Sequence, residues 1–159
     1  MFNFLKPKEN NLEFYAPVSG TLINISEISD PVFSSKMLGD GYGIEPSDGN
    51  IHSPVYGTVT TVFPTKHAVG IKTNSGDEVL VHIGIDTVEL SGKPFEIFVK
   101  PGDKVSPKKT IVQVDLNELE RLDKPKTIIV IYTNRSTVDA FDLINKREVT
   151  TSEKLGSIK

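Results

Sequence analysis

The sequence predicts an all-β fold: an antiparallel sandwich or barrel with a duplicated hairpin motif and one or two short helical turns. Three observations carry this reading. Short runs rich in Val, Ile and Thr recur along the 159 residues, separated by Asn, Asp, Ser, 12 Gly and 10 Pro, the punctuation of many tight turns. The segment Ala16-Pro-Val-Ser-Gly-Thr21 returns as Ser53-Pro-Val-Tyr-Gly-Thr58, with Pro at a strand entry and Gly at a bend, as related hairpin units would have it. Finally, the polar tract Asn74-Ser-Gly-Asp77 divides two apolar runs that begin and end on histidine, the pattern of a β-hairpin.

Taken in order, residues 1–11 read as a flexible N-terminal segment in which Pro7 cuts short any helix. There Phe2, Phe4 and Leu5 beside Lys6 and Lys8 are suited to touching a membrane surface, but a frayed terminus is the simpler reading. Residues 12–159 read as a single domain, since no linker-like tract divides them. Strands are expected over 21–25, 57–63, 79–83, 97–99, 110–114 and 127–132, each a β-branched run bounded by turn residues. Residues 34–38 suggest one helical turn, and Leu116, Leu119 and Leu122 space three leucines as a short helix would. The turn Lys100-Pro-Gly-Asp-Lys-Val-Ser106 resembles one in lipoyl and biotinyl carrier domains, without the lysine context those carriers modify.

Composition narrows the function classes. A net charge of −3 gives no electrostatic reason to expect nucleic acid or an anionic membrane as the main partner. With no cysteine there are no disulfides, thiol nucleophiles or thiolate metal sites. No apolar stretch approaches the roughly 20 residues that span a bilayer, and the N-terminus lacks the pattern of a signal peptide, so a cytoplasmic protein is expected. A monomer is the default, because no heptad repeat or self-complementary patch argues for assembly.

The chemistry concentrates on His67 and His82. A two- or four-residue hairpin loop pairs 67 with 82, bringing the rings within roughly 8 Å of each other. Alternation then puts Val69, Ile71, Leu80 and Glu78 on the histidine face and Ala68, Gly70, Val79 and Val81 on the core face, with Lys72 pointing away from the histidines. A facing imidazole pair suits metal binding, acid–base work or covalent phosphoryl transfer. Zinc held by His67 and His82 lacks a third ligand, and no cofactor is called for. His52 reads as a structural or surface histidine.

At these residues the chain resembles a known family. Val81-His82-Ile-Gly-Ile-Asp-Thr-Val-Glu-Leu90 and Phe63-Pro-Thr-Lys-His67-Ala resemble the two histidine segments of the glucose-class IIA proteins of the bacterial phosphoenolpyruvate:sugar phosphotransferase system. Asp30-Pro-Val-Phe33, Met37-Leu-Gly-Asp-Gly-Tyr-Gly-Ile44 and Ala16-Pro-Val-Ser-Gly20 extend the likeness over about residues 12–149. The resemblance implies that His82 accepts a phosphoryl group through Nε2 from the phosphocarrier HPr and passes it to the IIB domain of a sugar permease. It implies that His67 stabilises the phosphoryl group, that Thr65 orients His67, and that the Gly84 carbonyl holds the His82 Nδ1–H. Partner contacts would come from Phe33, Asp40, Phe63, Val69, Leu80, Asp86 and Val88.

Two other readings compete. One is a regulatory protein that binds transporters or kinases through the same face, switched by phosphorylation. The other, weaker for want of ligands, is a zinc protein akin to metallopeptidases with a similar duplicated hairpin.

Overall fold

In the computed structural model residues 12–158 are described; the expected flexible segment 1–11 lies outside them. The first half of the chain forms β1 (Glu13–Tyr15), β2 (Gly20–Asn24), α1 (Pro31–Ser34), β3 (Asp40–Pro46), β4 (Asn50–His52), β5 (Gly57–Val62), β6 (Ala68–Lys72) and β7 (Glu78–Ile83). The second half forms β8 (Phe95–Ile97), β9 (Lys104–Val105), β10 (Thr110–Val114), α2 (Leu116–Arg121), β11 (Ile128–Tyr132), α3 (Asp139–Asp142), β12 (Arg147–Val149) and β13 (Lys154–Ser157). Two single 3-10 turns, Ile25–Glu27 and Thr87–Leu90, complete the elements.

The strands pair antiparallel throughout, as a sandwich of β-branched runs requires. Eight of them run in the order β12-β2-β3-β11-β7-β6-β5-β9, facing a three-stranded sheet β4-β10-β8 and the pair β1-β13. The Val, Ile and Tyr side chains of one face of the large sheet meet Ile51, Ile111, Val112 and Val114 of the small sheet to form the main core. Ile128, Val130 and Tyr132 of β11 belong to that core, whereas Ile129 and Ile131 bury into a second, smaller core with Ile25, Ile28, Phe33 and Ile85. The unbroken apolar run of β11 is therefore a central strand covered on both faces.

The internal echo is a structural one. The amide of Tyr15 donates to the Pro54 carbonyl at 2.9 Å, and the amide of His52 donates to the Pro17 carbonyl at 2.7 Å. These reciprocal bonds join equivalent atoms of the two Pro-Val-x-Gly-Thr copies about a local twofold. The twofold extends outward: Gly20 pairs with Val149 as Gly57 pairs with Val105.

Two sequence expectations shift. The helical turn expected over 34–38 lies earlier, at Pro31–Ser34, because the Asp30 carboxylate caps the Val32 amide at 2.9 Å and Pro31 occupies the first helical position. The 116–122 helix forms at Leu116–Arg121, capped by Asp115. Asp40, expected at a partner surface, is wholly buried at the start of β3. Its carboxylate accepts the Val138 amide at 2.7 Å and the Gly41 amide at 2.8 Å and pairs with Lys36, so it ties β3 to the segment before α3 and is out of a partner's reach.

Candidate functional site

His82 sits near the end of β7, on the face that carries the smaller core, with Ile129 of β11 on one side and Ala68 of β6 on the other. The hairpin register differs from the expected one. The pairs are Ala68 with His82, Gly70 with Leu80 and Lys72 with Glu78, because the connecting loop is the five residues 73–77. Inside it the Thr73 amide donates to the Asp77 carbonyl, the Thr73 hydroxyl accepts the Asp77 amide, and Gly76 turns at φ 94°. A slip of one residue reverses every face of one strand. Val69, expected in the docking ring, is therefore fully buried in the main core with Ile71, while Gly70 and Lys72 join Leu80 and Glu78 on the histidine side.

The histidines still meet, by a different route. His67 precedes β6, so strand alternation does not govern it. Lys66 adopts φ 63° and its amide closes a turn onto the Phe63 carbonyl at 2.7 Å, while the His67 carbonyl accepts the Ile83 amide at 2.8 Å. This turn swings the His67 ring against His82, edge to face, with centroids 5.0 Å apart. Each ring also meets a phenylalanine. Phe33 from α1 lies 4.9 Å from His82, and Phe63 lies 5.5 Å from His67.

Hydrogen bonds orient both rings. The His82 Nδ1 lies 2.8 Å from the Gly84 carbonyl oxygen. A carbonyl can only accept, so Nδ1 carries the proton and Nε2 is left with its lone pair free. The His67 Nδ1 lies 2.6 Å from the Thr65 hydroxyl. Burial pushes the His82 pKa down to about 4, reinforced by repulsion from His67 and only partly countered by the Gly84 bond and by Asp30 and Asp86. Burial also lowers the His67 pKa. Both rings are thus neutral near pH 7 and nucleophilic at nitrogen.

Around the pair the surface is apolar with an acidic fringe. Phe63, Val32 and Val88 are exposed and Leu80 is half-buried; Asp86 is exposed on the turn after β7. Phe33, expected to meet partners directly, is itself buried beneath His82. An open depression of about 440 Å³ leads away from Phe63 and Leu80 over Gly70 towards Lys72, Glu78 and Thr133. Gly70 lines it, and a Cβ there would stand 3.1 Å from the Thr60 hydroxyl. Among the described residues no group of three His, Cys, Asp or Glu side chains comes together as metal ligands do. His52 lies elsewhere, with its Nδ1 against the Pro107 carbonyl. Asp30 is a neighbour that the histidine spacing did not flag; its Asp-Pro cap signature was the available signal. No described helix is long and apolar enough to cross a membrane.

Residues 12–138 match the family described as phosphoenolpyruvate-dependent sugar phosphotransferase system, EIIA 1. The glucose-specific EIIA component of Staphylococcus epidermidis is 40% identical over 153 residues, covering 96% of this chain and 92% of that protein. The glucose-specific EIICBA component of Streptococcus pneumoniae is 42% identical over 151 residues, 95% of this chain but only 20% of that longer protein. The solved glucose permease IIA from Mycoplasma capricolum superimposes with a TM-score of 0.80 at 38% identity, covering 99% of this chain and 98% of that one.

Proposed function

The chain belongs to the EIIA 1 family of the phosphoenolpyruvate-dependent sugar phosphotransferase system and has that system's phosphocarrier role; from this premise we propose that His82 is the phosphoryl acceptor. In this reading the Nε2 lone pair of His82 attacks the phosphorus of phosphorylated HPr. The new N–P bond forms as the donor's own N–P bond breaks, and the electron pair of the broken bond returns to the donor imidazole. A IIB domain of a sugar permease then takes the group from His82 in the same manner, on the cytoplasmic side of the membrane. Residues 12–159 act as one such domain.

The observation that carries the assignment of His82 is its tautomer. Nδ1–H is committed to Gly84, so Nε2 is the available nucleophile, and the depressed pKa keeps it unprotonated. His67 takes the supporting role. With the Thr65 hydroxyl donating to its Nδ1, its Nε2–H is free to donate to the phosphoryl oxygens, an oxyanion-type stabilisation in a partly dry site. The apolar ring of Phe63, Leu80 and Val88 and the depression beside it offer a dock for both partners in turn, and Asp86 offers a carboxylate to their basic residues.

The test follows labelled phosphate from phosphoenolpyruvate through enzyme I and HPr. Wild type takes up acid-labile, base-stable label and His82→Gln takes up none. His67→Gln accepts label but transfers it to IIB at least tenfold more slowly, the scale of losing one well-placed donor. Equal labelling of wild type and His82→Gln rules out the assignment.

A further inference from the structure

The geometry points to Thr87 as a positioning residue that holds the reactive tautomer of His82 through the backbone of Gly84; the inference deepens the relay reading and rests on it. Two consecutive peptide planes follow His82, and each is pinned at both ends. In the first, the Ile83 carbonyl accepts the Thr87 hydroxyl while the Gly84 amide donates to the Thr127 carbonyl at 2.8 Å. In the second, the Gly84 carbonyl accepts His82 Nδ1–H while the Ile85 amide donates to the Pro125 carbonyl at 3.2 Å. The C=O and N–H of a trans peptide point in opposite directions, so fixing one end of each plane aims the other.

Of the external groups that pin these planes, Thr127 and Pro125 use backbone carbonyls, and Thr87 alone uses a side chain. Thr87 is wholly buried, and its methyl carbon lies 2.5 Å from where a Cβ on Gly84 would stand. Its hydroxyl and methyl therefore close the 83–87 turn on two sides. Gly84 turns at φ 76°, a region glycine enters freely, whereas Asp86 at φ 62° is a non-glycine residue in the left-handed region, a conformation that persists only when its surroundings hold it. Loosening this turn lets the Gly84 carbonyl swing off the ring. His82 then becomes free to carry its proton on Nε2, the atom that must attack.

The test compares Thr87→Val, which keeps the shape and deletes the hydroxyl, with Thr87→Ser, which keeps the hydroxyl. Ring nitrogen NMR of the unphosphorylated protein reads the tautomer directly. Wild type and Thr87→Ser should show His82 protonated at Nδ1. Thr87→Val should show a mixture, with phosphate uptake from HPr about fivefold slower, the worth of one ordinary hydrogen bond. Should Thr87→Val fail to fold, Thr87→Ser against Thr87→Ala makes the same comparison. An unchanged tautomer in a folded hydroxyl-less variant, or a serine variant as disturbed as the one lacking the hydroxyl, overturns the role of Thr87. The tautomer is read without any phosphate, so a protein that takes up no label refutes the relay alone and leaves this comparison intact.

Discussion

The two copies of the Pro-Val-x-Gly-Thr unit begin alike and end on different histidines. From the first copy, β2 runs through the Ile25–Glu27 turn and the capped helix α1 and delivers Phe33 to the face of His82. From the second, β5 runs through the tight 63–66 turn and delivers Phe63 to His67. Phe33 is only 5% exposed, in the smaller core, whereas Phe63 is 36% exposed. One repeat therefore supplies a rigid, buried brace and the other an exposed contact. The difference arises because the first copy has a covering layer of Ile25, Ile28 and Ile85 over its exit, while the second exits at the rim of the open depression. His82, the proposed acceptor, is the histidine on the Phe33 side, where desolvation favours its neutral form.

Mutating the two phenylalanines separates these roles. Phe33→Ala should lower global stability by about 3–5 kcal/mol, as for other buried aromatic truncations, read by denaturant unfolding. Phe63→Ala should change stability by less than about 1 kcal/mol, because half-exposed side chains contribute little, yet weaken HPr-dependent labelling through a higher KM. A comparable stability loss in both variants would erase the contrast.

A finer test uses pH. Desolvation pushes the His82 pKa down to about 4 and also lowers that of His67, so an NMR titration should find His82 still mostly neutral at about pH 5. Opening the brace with Phe33→Ala should raise the His82 value towards about 6.5, while Phe63→Ala should leave it in place. The sign for stability follows. Between the unfolded value of about 6.5 and the folded value, the unfolded chain binds the extra proton. The His82 contribution to stability is thus complete above pH 6.5 and is lost as pH falls towards 4. A native state that grows more stable over that descent contradicts the burial of His82.

Much of this was legible in one dimension. The strand runs at 79–83, 110–114 and 127–132 appear where β-branched residues cluster, and α2 follows its leucines. The hairpin itself was legible, but its register was not. Asn74-Ser75 invites a two-residue turn, and only the Thr73 to Asp77 bonds choose the five-residue loop that moves Val69 inward and Lys72 outward. Asp40 shows the same limit from another side. An acidic residue between glycines reads as exposed until Val138, from a distant stretch of the chain, supplies the amide that buries it.

By itself the sequence determined the β architecture, the twofold echo and the identity of the two histidines, because residue pattern and turn chemistry are local properties. Tertiary structure alone decided how the imidazoles meet, which phenylalanine lies beneath which ring, and which nitrogen of His82 is free. Those outcomes depend on a left-handed Lys66, on a carbonyl at Gly84 and on packing between segments far apart in the chain. The opposed pair that alternation predicted became a diagonal pair made by a turn, and its two rings sit in unequal surroundings.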